Sequence, residues 1–257
     1  MEIFIISFVA LMASFLTLFS GFGLGTLLMP FVAIFLPIDV AIAMTAIVHF
    51  ANNIFKVGLL GKEANKMVLI KFGIPAVIFA FIGALFLEYL MRASFVFTYE
   101  LFGLSATIVP IKFVVGIVIV VFVILELLPK FASMSVDTKY LPLGGAISGF
   151  FGGLSGHQGA FRSMFLIKIG LSKEAFVASG VMVAVMVDSS RLLVYGSTIG
   201  SNAVSIDWIV VLSATISAFV GSYFGAKILK KITIEFIRYI ISGLLLLIGV
   251  LMMGGIL

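Results

Sequence analysis

Apolar residues run along this chain in long, unbroken stretches, and the way those stretches are interrupted occurs twice. In the first half, Ile3–Phe19 and Leu27–Leu36 are separated by Ser20-Gly21-Phe22-Gly23-Leu24-Gly25-Thr26, and plain runs follow at Ile38–Leu60, Met67–Leu90 and Pro110–Leu128. In the second half, Leu141–Phe151 and Ala160–Ile169 are separated by Gly152-Gly153-Leu154-Ser155-Gly156-His157-Gln158-Gly159, and plain runs follow at Ser172–Tyr195, Ile206–Lys227 and Phe236–Leu257. Several runs reach the ~20 residues that a spanning helix needs. They are continuous rather than alternating, which predicts helices and argues against an outer-membrane barrel. The prediction is an all-α, polytopic membrane bundle of two repeats, residues 1–130 and 139–257. Each repeat has one Gly-broken segment and three further spans.

The two halves align at one constant offset without a gap, placing Gly25 on Gly159, Ala41 on Ala175 and Thr45 on Ser179. Unwound backbone at membrane depth is tolerated only where protein or a polar cavity surrounds it. A matched pair of Gly-broken segments in two halves of a membrane chain points to a transport site.

Composition agrees with the pattern: 63% of the 257 residues are hydrophobic and 11% are charged, against about a quarter charged in a soluble domain. No polar stretch is long enough for a separate soluble domain. The first apolar run follows Glu2 without a basic flank, so it reads as retained rather than as a cleaved signal. The net charge of +5 reads as Lys and Arg on cytoplasmic loops, not as a nucleic-acid footprint. Cysteine is absent and only His49 and His157 are present, so disulfides, thiolate sites and a structural zinc are not expected. No other cofactor is expected.

Loop charge then sets a direction. Lys62 and Lys66 crowd one connection, and Lys227, Lys230 and Lys231 another. The positive-inside tendency places both in the cytoplasm. That holds if each broken segment re-enters and returns to its starting face, leaving three crossings per half. Lys130 and Lys139 then also fall inside, the Lys-free stretch Gly196–Ser205 falls outside, and the halves are inverted. Both termini are expected on the extracytoplasmic side of a bacterial inner membrane.

Candidate chemistry gathers in a few places. On Ile38–Leu60, Thr45, His49, Asn52, Asn53 and Lys56 recur at spacings of three and four, which places them on one helix face. Such a stripe faces either a water-filled cavity or neighbouring helices that it binds by hydrogen bonds. Lys56, near the cytoplasmic end, is expected to snorkel to the interface.

The second break is richer. The segment after Gly156-His157-Gln158-Gly159 carries Arg162 in its first turn, where Leu28 stands in the first half. A half-helix N-terminus offers backbone N–H groups and partial positive charge. Arg162 adds a full charge and a donor fork that matches sulfonate, sulfite or carboxylate oxygens. Its alternative role is to reach a helix carbonyl or a lipid headgroup. Asp188 and Arg191, three apart on one span, can pair, either as structure or as a gating or proton-linked pair. His157 is either a group that titrates near neutral pH or a neutral donor. The predicted substrate contacts are Gly25, Thr26, Thr45, His49, Asn52, Gly156, His157, Gln158, Gly159, Arg162 and Ser179.

Two stretches also resemble a known family. Pro30 and Leu36-Pro37-Ile38-Asp39-Val40-Ala41-Ile42-Ala43-Met44-Thr45 follow the first break. Ser148-Gly149-Phe150-Phe151-Gly152-Gly153 precedes the second, and Gly170-Leu171-Ser172-Lys173-Glu174-Ala175 and Ser179 follow it. Together they resemble the repeat of the TauE/SafE sulfite-exporter family over essentially the whole chain. The resemblance implies a membrane transporter of sulfur-containing anions such as sulfite, sulfonates or thiosulfate. Where that family has Gly-Gly-Gly after the break, this chain has Gly156-His157-Gln158-Gly159, which makes His157, Gln158 and Arg162 candidates for selectivity.

A secondary transporter of a small sulfur anion is therefore the leading function. There is no Gly-x-x-x-x-Gly-Lys-Ser/Thr loop for ATP, so coupled protons or the membrane potential are the expected drive. An anion channel or a carrier of another organic anion is the nearest alternative. An intramembrane enzyme is the different-class alternative, and only Ser155 with His157 offers it a nucleophile–base pair.

Overall fold

A computed structural model of the protein describes residues 2–20, 23–101, 103–128, 136–200, 206–228 and 235–257. Ten helices and one hairpin are described among them. The first half holds α1 (Glu2–Ser20), α2 (Leu24–Phe35), α3 (Ile38–Leu60), α4 (Lys66–Arg92, with a π-helical stretch at Leu69–Gly73) and α5 (Pro110–Leu127). The second holds α6 (Leu141–Ser155), α7 (Gly159–Leu166), α8 (Lys173–Gly200), α9 (Trp208–Ile228) and α10 (Glu235–Met253). Five described helices are long and apolar enough to cross a membrane, at Ile38–Glu63, Lys66–Arg92, Pro110–Leu127, Lys173–Gly196 and Trp208–Lys227. Shorter apolar helices lie at Glu2–Thr17, Leu24–Phe35 and Ser242–Met253. The last of these lies within α10, in the expected crossing Phe236–Leu257.

Polarity is arranged as lipid demands. Large apolar side chains such as Phe81, Ile82, Leu212, Ile216, Leu247 and Val250 face outward, while His49, Asn52, Asn53, Lys56, Gln158, Asp188 and Arg191 are buried. An apolar core of Leu24, Leu28, Met44, Val48, Ile119 and Phe122 fills the space around them.

Helix pairing crosses between the halves. The largest contact of α1 is with α9, and that of α6 is with α4. In the same way α3 packs on α8, α5 on α10, α8 on α4 and α3 on α9. Exchanging α1–α5 for α6–α10 turns this set of contacts into itself.

Glycine explains how closely two of these pairs approach. On α6, Gly145, Gly149 and Gly153 recur every fourth residue, so they share one face. A methyl group on them would stand 2.1, 2.2 and 1.9 Å from the carbonyl oxygens of Phe72, Ala76 and Ala80. From the opposite side, a methyl on Gly83 would meet Phe150 O at 2.1 Å and Leu154 N at 3.0 Å. Gly221 of α9 repeats that geometry on α1, at 2.2 Å from Leu11 O and 3.1 Å from Phe15 N. Small residues bring helix backbones into contact where lipid supplies no hydrophobic drive between helices. Gly153→Ala is therefore expected to lower stability by roughly 1–3 kcal/mol, as overpacking does. Gly58, with open space around its Cα, should tolerate alanine or gain roughly 0.5–1 kcal/mol from the stiffer helix. Thermal unfolding of the two variants in detergent checks both values.

The breaks are narrower than the glycine runs predict. Helix α1 continues through Ser20, Gly21 and Phe22 lie outside the described residues, and α2 resumes after an extended Gly23. Helix α6 runs on through Gly152 and Gly153 to Ser155. Only Gly156, His157 and Gln158 are non-helical before α7. Gly153 serves the α4 seam, while the chain turns at Gly156, whose φ of 82° suits glycine. Lys62 sits on the α3–α4 connection as expected, whereas Lys130, Lys230, Lys231 and positions 201–205 lie outside the described residues.

The sequence reading also passed over a hairpin. Strands β1 (Phe97–Leu101) and β2 (Leu104–Ile108) pair antiparallel around a turn holding Gly103 at φ 79°. The hairpin sits on the end of α10, with Tyr99 Oη donating to Gly254 O at 2.7 Å and Thr107 N to Gly255 O at 2.9 Å.

Candidate functional site

The tips of the two breaks meet. A methyl on Gly23 or Gly25 would lie 3.8 or 3.9 Å from Gly156 O. Beside this junction is a cavity of about 240 Å³. Its wall takes residues from α1 (Thr17), α3 (His49, Asn53, Lys56), the second break and α7 (Gln158, Arg162, Ser163) and α8 (Lys173, Gly180). Lys56, Arg162 and Lys173 bring positive charge, and no Asp or Glu is among the described residues lining it.

Each cavity group is placed by simple helix geometry. Arg162 follows the turn at Gly156–Gln158 and is anchored through its own backbone N–H to Gln158 O at 3.1 Å. Its guanidinium lies over Gly180, where a methyl would stand 3.1 Å from Arg162 Nε. The Gln158 side chain is fully buried, and neither its Oε1 nor its Nε2 has a protein partner. An unmatched buried amide costs about 1–3 kcal/mol, so this position calls for a polar occupant.

The stripe on α3 divides in two. Consecutive residues differ by about 100° around a helix, so Asn52 and Asn53 point to opposite flanks. Asn53 turns with His49 toward α8. Asn52 turns toward α1 and α9. There its amide is satisfied when the nitrogen donates to Ala218 O (3.1 Å) and Ser222 Oγ (2.7 Å) and the oxygen accepts from Ser14 Oγ (3.0 Å) and Lys56 Nζ (3.3 Å). Ser14 and Ser222 also bond to each other at 2.6 Å. Asn52 thus ties three helices together and does not line the cavity. Lys56, expected at the interface, is instead buried on the cavity wall. The reason is that its side of the helix faces α7 and α8 rather than lipid.

Asp188 and Arg191 pair as their spacing predicts, Nη2 to Oδ1 at 2.8 Å. The sequence did not reveal the third member. His49 Nδ1 lies 2.6 Å from Asp188 Oδ2, and Asn53 Nδ2 donates to the same oxygen at 3.2 Å. These groups come from helices 139 positions apart in sequence, so no local spacing could show the link. Arg191 also reaches the second break, where a methyl on Gly156 would meet its Nη1 at 2.8 Å. Tyr195, one turn on, donates to Gly153 O at 2.7 Å.

Other predicted contacts lie elsewhere. His157 is buried with its ring edge-on to Phe122 (5.9 Å between centroids), and its Nδ1 is 2.9 Å from Ser155 Oγ. Neither residue of that pair lines the cavity. Ser179 Oγ accepts from Asn65 N at 2.9 Å and so fixes the start of α4. Thr45 and Thr26 are buried beside the first break, with Thr45 Cγ2 against Gly25 and Thr26 N bonded to Gly23 O. Gly25 and Gly159 lie in the first turns of α2 and α7. Among the described residues there is no group of three His, Cys, Asp or Glu that could hold a metal.

Residues 6–252 match the family model described as sulfite exporter TauE/SafE. No curated protein and no solved structure gives a match. With nearly its whole length covered, the chain belongs to the TauE/SafE sulfite exporter family, whose members are membrane transporters of sulfur anions.

Proposed function

We propose that the cavity is the substrate site of a secondary transporter that moves a small sulfur-containing anion across the cytoplasmic membrane by alternating access. Candidate substrates are sulfite, a sulfonate such as sulfoacetate, and thiosulfate. The observation that carries this reading is the cavity wall: the cations Lys56 and Arg162 line it, no Asp or Glu is among its described lining residues, and the Gln158 amide beside them has no protein partner. The Arg162 fork matches two oxygens of a sulfur oxyanion, while Lys56 acts as a point charge on whatever remains. Asp188, the nearest buried acid, is already engaged by Arg191 and His49 and is not on the wall.

Two inverted repeats suit this site. Their support is the set of helix contacts that survives exchange of the halves, with Gly83 and Gly221 making the same close approach in each. In that arrangement substrate lies at the interface of the repeats, near the midplane. Both termini are extracytoplasmic. A cysteine introduced at Leu257, in a chain with no other thiol, should react with an impermeant maleimide added outside; labelling only after lysis would overturn the inverted arrangement.

Thermal-shift measurements with sulfite, sulfoacetate, thiosulfate, sulfate and acetate test the substrate class. A ligand at about 100 times its Kd stabilises by ~2.7 kcal/mol, enough to separate binders from non-binders. The expected result is a rise with one or more of the sulfur anions and none with acetate. An equal response to all five would show non-specific charge binding and sink the proposal.

A further inference from the structure

We propose that His49 carries a proton with the anion, so that the protein is a proton–anion cotransporter whose coupling group is the His49–Asp188 pair. The inference rests on the anion-transport reading above and names what that reading leaves open, the coupling ion.

The geometry assigns the two ring nitrogens different tasks. Asp188 Oδ2 can only accept, so His49 Nδ1, 2.6 Å away, carries the hydrogen. The neutral ring therefore has Nε2 as its acceptor, while Asn53 Nδ2 lies 3.2 Å from each ring nitrogen. His49 is on the cavity wall. Its Nε2 lies toward the first break, 3.5 Å from where a methyl on Gly23 would be. A proton arriving from the cavity binds at Nε2 and turns an acceptor on that wall into a charged donor. Asp188 is in place to stabilise the imidazolium, with Asn53 donating to the same oxygen and Arg191 holding the other.

The charges around His49 decide which ligand favours that proton. From its own helix it faces Lys56 and Asn53, and from α8 Asp188 and Arg191, with Tyr195 and Arg162 acting on Asp188. Among these groups the positive charges outnumber the one carboxylate. An anion in the cavity reverses this balance. By linkage, an anion that favours the proton is favoured by it to the same degree. Proton and anion then load together and leave together. Cotransport follows from that reciprocity and needs no second proton site.

The test uses purified wild-type protein with thiosulfate and sulfoacetate, both fully ionised near neutral pH. Calorimetric titration in buffers of different ionisation enthalpy counts the protons taken up per anion bound. Measured at about pH 6 and about pH 8, wild type should take up protons with the anion, up to one per anion bound. Its affinity should fall by up to about tenfold per pH unit toward the alkaline side. His49→Gln keeps a polar side chain of similar reach and should show no proton uptake and a flat pH profile. In vesicles clamped at zero potential, a thiosulfate gradient should drive protons with wild type and not with His49→Gln. Wild type that binds or moves the anion without protons overturns the coupling and leaves the transport reading standing. Proton uptake retained by His49→Gln overturns it too, and moves the proton to Lys56. Failure to bind any of the sulfur anions at either pH overturns the transport reading, and the coupling with it.

Discussion

Arg162→Ala should weaken binding of the transported anion at least about tenfold. A charge-assisted hydrogen bond is worth about 1.5–3 kcal/mol, and ~1.4 kcal/mol is a decade of affinity. The guanidinium lies in the cavity over Gly180, on a short helix whose apolar residues Met164 and Phe165 pack into the core away from the cavity wall. The fold should therefore survive the change. Arg162→Lys keeps the charge but loses the planar fork, so it should recover only part of the affinity. Titration calorimetry on the folded variants checks the order wild type, Lys, Ala. A normally folded Arg162→Ala protein with unchanged affinity would make Arg162 a structural residue.

Asp188→Asn should have the largest effect on stability, a loss of about 3–5 kcal/mol. That is the usual cost of removing one partner from a buried ion pair, because the other charge stays behind uncompensated. Here the side chains of both partners are almost wholly buried, at 0% and 2% exposure for Asp188 and Arg191. The single amide oxygen of Asn also cannot serve both Arg191 and His49, which each hold one carboxylate oxygen now. Asp188→Asn combined with Arg191→Gln removes both charges and should regain much of the loss. Thermal unfolding of the single and double variants measures the difference. Equal destabilisation by both would show that the ion pair is not the source.

Much of this architecture was legible in the sequence because bilayer physics writes itself into long apolar runs. The helices, the two breaks, the Asp188–Arg191 pair and the placement of Arg162 all follow from local spacing. What escaped notice depends on distant pairing. The glycines at 152 and 153 read as helix breakers, yet the helix runs on and Gly153 lets α6 touch α4, which no single segment reveals. Lys56 reads as an interfacial lysine from its place near the end of α3, because local spacing does not show that α7 and α8 share a cavity with it. His49 and Asn52 read as one polar face, although the tertiary fold sends one to Asp188 and the other to Ser14 and Ser222. The hairpin at Phe97–Ile108 falls between the apolar runs, in a stretch that the pattern of spans leaves as a plain connection.

The cross-half pairing of α1 with α9 and of α6 with α4 has a mechanical consequence. Helices whose backbones touch, at Gly145, Gly149 and Gly153 of α6 and at Gly221 of α9, have no side-chain layer there on which to slide, so each pair is expected to move as one piece. One piece then joins the chain's first helix to its ninth, and the other joins its fourth to its sixth. In the alternating-access reading proposed above, the halves defined by sequence are therefore not the pieces expected to rock. Motion that opens the cavity is then expected between these mixed pieces, across α3 and α8, where His49 meets Asp188. Neither stretch of sequence carries its own lever. Each supplies the handle by which the other is turned.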